Sequence, residues 1–177
     1  LVAPTAAAMG WPRLAGKPIP DGKLMPMLDY DVGPGFNYRD VSGVVTRQPP
    51  TIRRTLPSLV PRVNADGNET SGIPSVALLV PLGTYTGWNE LASGYGKGGQ
   101  CGFIGGFIPF ARTEAERRAA GDHRPSLEER YGDHAGFVAR VEKAAADQVA
   151  QGWLLPDDAQ RLISLARASS VLQDPAK

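Results

Sequence analysis

Val76-Ala77-Leu78-Leu79-Val80-Pro81-Leu82-Gly83-Thr84-Tyr85-Thr86-Gly87-Trp88-Asn89 is the stretch on which the reading of this chain turns. Its first seven residues are apolar and short as a run, the signature of a buried strand. The seven that follow set Tyr, Thr, Trp and Asn on a connection whose glycines permit close backbone approach. Aromatic platforms beside hydrogen-bonding groups are what a pocket edge needs, so Tyr85, Thr86, Trp88 and Asn89 are the candidate binding residues. Tyr85 and Trp88 would equally serve to plug a core, and the residues alone leave both uses open.

Upstream, Ser58 to Val63 is a second short apolar run, and Asn64-Ala65-Asp66-Gly67-Asn68 between the two runs is rich in residues that tolerate positive φ. Runs 58–63 and 76–82 therefore read as a β-hairpin or two neighbouring strands. From Leu1 to Pro61, Pro4, Pro12, Pro18, Pro20, Pro26, Pro34, Pro49, Pro50, Pro57 and Pro61 exclude a helix of ordinary length. Residues 1–57 read as an extended strap whose Trp11, Leu24, Met25, Met27, Leu28 and Phe36 require a surface to cover them.

Downstream, Gly94, Gly96, Gly98, Gly99, Gly102, Gly105 and Gly106 make the stretch from Ser93 to Gly106 a loop. From Ala111 onward the texture becomes helical. Thr113 caps an acidic first turn that stops at Ala119-Ala120-Gly121, and Ser126 with Glu129 forms a capping box for a short helix through Tyr131. Asp133 caps a helix to about Gln151, with Phe137, Val138, Val141, Ala144, Ala145 and Val149 as its apolar stripe. Pro156-Asp157-Asp158 opens a last helix with Ala159, Leu162, Ile163 and Ala166 on its buried side. The last two form a helical hairpin across Gly152-Trp153-Leu154-Leu155.

The chain has 177 residues, room for one ordinary domain at most, and a formal net charge of +1 gives no electrostatic footprint for nucleic acid or an anionic membrane. No segment is long and apolar enough for a membrane span. The 21 glycines and 16 prolines lie before residue 111 with few exceptions, so the two regions are built differently. Leu1 to Gly10 carries neither an initiator Met nor a charged leader, the pattern of a chain that begins within a longer protein. One cysteine, Cys101, excludes an internal disulfide but leaves the compartment open, the periplasm and the exterior included.

No Gly-x-Ser-x-Gly elbow occurs, and neither Ser75 nor Ser93 has the flanks of a nucleophile. Cys101 with His123 or His134 would make a thiol nucleophile, but a small residue in a loop is the stronger reading. Gly94-Tyr95-Gly96-Lys97-Gly98-Gly99 has the dinucleotide-binding form without the strand and helix that give it meaning. His123 and His134 read as capping or surface residues rather than metal ligands. Asn68-Glu69-Thr70 has the sequon form, which predicts an exposed turn. Asp29 and Asp31, alternating on an extended segment, aim two carboxylates to one side, with solvated acids as the default. No catalytic residue, metal ligand or cofactor is assigned within the chain.

Six strings stand out in order along the chain: Gly43-Val44-Val45-Thr46-Arg47-Gln48-Pro49-Pro50, then Leu59-Val60-Pro61-Arg62-Val63-Asn64-Ala65-Asp66-Gly67-Asn68-Glu69, and Val80 to Asn89 as quoted above. Phe107-Ile108-Pro109-Phe110-Ala111-Arg112-Thr113, Pro125-Ser126-Leu127-Glu128-Glu129-Arg130-Tyr131 and Leu154-Leu155-Pro156-Asp157-Asp158 follow. In this order they resemble a family of bacterial α/β-hydrolase domain proteins that act on esters. The resemblance implies an α/β fold of which this chain is the C-terminal portion. Residues 1–57 would be a strap, 58–110 a strand pair with a glycine-rich pocket-edge loop, and 111–177 three to four helices. All would belong to one larger hydrolase domain.

The resemblance further implies a serine ester hydrolase working through an acyl-enzyme, with its nucleophile and histidine outside these residues and no cofactor. Tyr85, Thr86, Trp88 and Asn89 would line the pocket for a small-molecule ester. The partner would be the remainder of the same polypeptide or a companion chain. A non-catalytic binding or assembly module gripping its partner with residues 84–89 is the alternative.

Overall fold

A computed structural model describes residues 1–3, 5–14, 27–37, 39, 41, 43–89, 91–97 and 104–173. The helical region follows its caps. Thr113 and Ser126 each close a capping box, with Glu116 and Glu129 respectively, opening α3 (Glu114–Ala119) and α4 (Leu127–Tyr131). The Asp133 side chain accepts from the Gly136 N–H at 2.8 Å and starts α5 (His134–Ala150). Pro156 in the first turn starts α6 (Pro156–Ala168). Gly152 adopts φ +76° just past α5, the left-handed turn that reverses the chain into α6.

Phe137, Val141, Ala144 and Ala145 of α5 close on Ala159 and Ala166 of α6, the stripe read from the 3.6-residue period. Val76 and Val80 join this core. Here the structure departs from the expected strand at 76–82, because Val76–Leu79 is a single helical turn, α2. The backbone bonding marks it: the Leu79 N–H donates to the Ser75 carbonyl at 3.0 Å and the Val80 N–H to the Val76 carbonyl at 2.9 Å, with Val76 and Val80, four apart, both facing the core.

The other expected strand, 58–63, is reduced to two isolated bridges, Val60 with Val2 and Val63 with Glu69. Pro57 and Pro61 lack the N–H donors that a longer ladder would need. The strand pair of this region lies elsewhere. β3 (Gly83–Thr86) pairs antiparallel with β4 (Gly106–Pro109), placing Tyr85 opposite Phe107 and Thr84 opposite Ile108. The stretch read as a connection after residue 82 is thus largely a strand, and the glycine-rich loop ends where β4 begins. Residues 98–103, with Cys101, lie outside the described residues.

Within the proline-rich region a four-residue helix, α1 (Ala6–Met9), precedes a second antiparallel pair. β1 (Met27–Asp31) runs against β2 (Thr51–Leu56) with an irregularity between Asp29 and Tyr30. Cross-strand ion pairs join Arg54 to Asp29 at 3.1 Å and Arg53 to Asp31 at 3.2 Å, and Arg47, ahead of β2, also pairs with Asp31. The two carboxylates are therefore strand residues engaged by arginines, neither an acid pair nor solvated loop acids. Met27 and Ile52 remain more than half exposed on this ribbon. Leu24 and Met25 lie outside the described residues. Among the described residues no helix is long and apolar enough to cross a membrane.

Candidate functional site

β3 is fixed by side chains that substitute for a neighbouring strand. One edge of it pairs with β4; on the other, the Asn68 amide donates to the Gly83 carbonyl at 3.0 Å and accepts from the Tyr85 N–H at 2.8 Å. Asn68 is consequently 1% exposed, which overturns the exposed sequon turn expected from its sequence context. A buried amide that satisfies two backbone groups is a stronger requirement than a polar turn. Gly67 makes the approach feasible, with φ +80° and space in which an added Cβ would meet Thr84 Cγ2 at 2.9 Å.

From below, the strand is held by Arg124, only 3% exposed. Its guanidinium donates to Thr84 Oγ1 (2.7 Å), the Ile108 carbonyl (2.9 Å), the Pro109 carbonyl (3.1 Å) and the Asp122 carboxylate (2.6 Å to Oδ2). Thr84 passes its own proton to the Asp66 carbonyl. Burial alone would raise the Asp122 pKa, but hydrogen bonds from the Arg124 side chain and backbone outweigh it and hold the carboxyl low. Arg130 pairs with Asp66 and lies 4.0 Å from the Phe110 ring centre, on which Arg124 also stacks at 5.0 Å. The Tyr131 hydroxyl donates to the Pro81 carbonyl at 2.7 Å, and desolvation pushes its pKa up to about 12.

Two clefts flank the far end of β3. The first, about 210 Å³, is walled by Met9, Trp11, Val60, Pro61, Val63, Gly67, Glu69, Tyr85, Thr86, Gly87 and Trp88. The second, about 300 Å³, is walled by Glu69, Ser75, Ala77, Leu78, Tyr85, Thr86 and Gly87. Of the residues singled out from the sequence, Tyr85, Thr86 and Trp88 come together in these walls, and Asn89 does not. Tyr85 also packs against Phe107, ring centres 5.1 Å apart. The Thr86 hydroxyl is committed internally, donating to the Trp88 carbonyl at 2.6 Å and accepting from the Gly106 N–H at 3.0 Å. Trp88 is buried and meets Trp11 at 5.4 Å with the rings inclined by 51°. It is at once a core plug and a cleft wall.

Glu69, Trp11 and Met9 were not among the candidate binding residues. Trp11 stands 77 positions before Trp88, and no local pattern announces such a pairing. Both clefts contain a single charged wall residue among those described, Glu69. Ser75 borders the second cleft as the residue before α2, and among the described residues no histidine lines that cleft. Both ring nitrogens of His134 face carbonyl oxygens, Val171 at 2.8 Å and Arg167 at 3.2 Å, so this histidine ties down the end of α6. His123 is exposed. Among the described residues no group of three His, Cys, Asp or Glu is placed to hold a metal ion.

A family model described as an alpha/beta hydrolase domain matches residues 16–164, most of the chain. No curated protein and no solved structure matches it.

Proposed function

This chain belongs to the alpha/beta hydrolase domain family, and from that premise we propose that it is the C-terminal portion of a serine ester hydrolase. It completes the scaffold and lines the substrate pocket with the end of β3. The observation that carries the reading is the family match over 16–164 in a chain with no Gly-x-Ser-x-Gly elbow. The nucleophile then comes from the remainder of the polypeptide or from a companion chain.

The build of the chain supports this. Its described strands form two separate two-stranded ribbons, too few to stand as a sheet without a body to pack on. Met27, Ile52 and Phe107 are at least half exposed on those ribbons and suit contact with such a body.

In this reading the serine Oγ attacks the ester carbonyl, the alcohol departs with a proton from the histidine, and water releases the acyl group. The residues described here bind rather than react. Tyr85 and Trp88 present apolar ring surface to a small-molecule ester, and Asn68 and Arg124 hold β3, which carries Tyr85 and leads into Trp88. Thr86 shapes the wall through its backbone-directed hydroxyl.

The test is turnover of p-nitrophenyl butyrate by residues 1–177 alone and by the native protein that contains them. The expected result is hydrolysis by the second and none by the first. Robust turnover by residues 1–177 overturns the proposal.

A further inference from the structure

The first cleft has a chemistry more specific than an apolar wall. Two indoles, Trp11 and Trp88, meet at 5.4 Å and an angle of 51°, and both line the cleft as inclined rings that make a corner of its wall. Tyr85 adds a third ring and Met9 a polarisable thioether. The single charge in the described walls is the Glu69 carboxylate, which is exposed at the rim and takes no ion-pair or hydrogen-bond partner among the described residues. Electron-rich ring faces attract a cation through their quadrupoles, and a nearby uncompensated carboxylate adds to the same field. The Glu69 carboxylate repels an anion, and the Thr86 hydroxyl proton is already given to the Trp88 carbonyl.

Size narrows the occupant further. A volume of about 210 Å³ is smaller than a pocket for a whole drug-sized ligand and suits a headgroup. The second cleft shares Glu69, Tyr85, Thr86 and Gly87 with the first and leaves room beyond for the rest of a molecule.

We infer that the corner of Trp11, Trp88, Tyr85 and Glu69 binds an alkylammonium group, so that the substrates of this protein carry a small organic cation. The binding claim stands on the cleft itself; that the bound molecule is a substrate rests on the function proposed above. Ring faces supply attraction without a directed hydrogen bond, which favours a methylated ammonium over a primary one.

The experiment titrates the native protein with choline and, at matched ionic strength, with its neutral isostere 3,3-dimethylbutan-1-ol, following tryptophan fluorescence. Choline is expected to bind about fivefold more tightly than the isostere. Glu69→Gln, a change at an exposed position, is expected to bring the two within about twofold. Equal or tighter binding of the isostere by the unmodified protein, or a preference for choline untouched in Glu69→Gln, overturns the inference. Inhibition of p-nitrophenyl butyrate hydrolysis separates the two levels. Choline that binds as expected without competing leaves the cation site standing and removes its role as a substrate site. Competition by choline and isostere alike, with equal affinity, supports the pocket and overturns the cation preference.

Discussion

The helical region, 114–173, and the β3 region, 60–110, are held together by different physics. α5 and α6 close on Phe137, Val141, Ala144, Ala145, Ala159 and Ala166, a stripe that is apolar throughout, and the starts of α3, α4 and α5 are capped by side chains within three residues. β3 is held instead by buried polar side chains from far along the chain: Asn68 from one side, Arg124 from the other. Apolar stripes tolerate small shifts because burial has no direction. Hydrogen-bonded anchors impose a position, which is what a strand at a binding cleft requires.

This contrast makes distinct claims about what each half loses on truncation. The largest effect belongs to Phe137→Ala, expected to cost about 4 kcal/mol in urea unfolding by emptying the centre of the helical core. Its signature is lost helix ellipticity at lower denaturant. Arg124→Ala follows at about 3 kcal/mol, since it strands the partly buried Asp122 carboxylate and three acceptors. Here tryptophan emission from the Trp11–Trp88 corner is expected to change as well. A cost below about 1 kcal/mol would mean that the polar anchors do not carry the strand. Asn68→Ala comes next at about 2 kcal/mol, leaving the Gly83 carbonyl and the Tyr85 N–H unmet.

The smallest effect is one of pH. Hydrogen bonds from Arg117, with those from Ser126, lower the Glu129 pKa from 4.5 to about 2. A carboxyl depressed on folding stabilises the folded state above its unfolded pKa and loses that contribution as pH falls through its folded one. The stabilisation is therefore complete above about pH 4.5 and disappears toward pH 2. Glu129→Gln is expected to give a shallower decline of stability across that window in acid unfolding. An unchanged acid limb would remove the Arg117–Glu129 link from the tie between α3 and α4.

The same contrast decides what could be read from the sequence. Helix caps are local, so Thr113, Ser126, Asp133 and Pro156 marked their helices from neighbouring residues alone. The run at 76–82 was read as a strand although a short apolar stretch fits both periods, and the bond from the Val80 N–H to the Val76 carbonyl makes it a helical turn. β3 was displaced in the reading because its partners arrive from residues 68, 106–109 and 124, none of them near in sequence. Asn68 looked like an exposed turn residue for the same reason: its backbone neighbours are turn formers, and its side chain works elsewhere. The aromatic residues of 85–88 were legible as a cluster. Glu69 and Trp11, which give the cleft its charge and its corner, were not.

The proposal that this chain serves a serine ester hydrolase without supplying its nucleophile can be met head on by labelling the native protein with a fluorophosphonate and mapping the modified peptide. The expected result is one labelled serine, in a peptide outside residues 1–177. Label on a serine within them, Ser75 beside the second cleft above all, or no labelled serine in an active preparation, would contradict it.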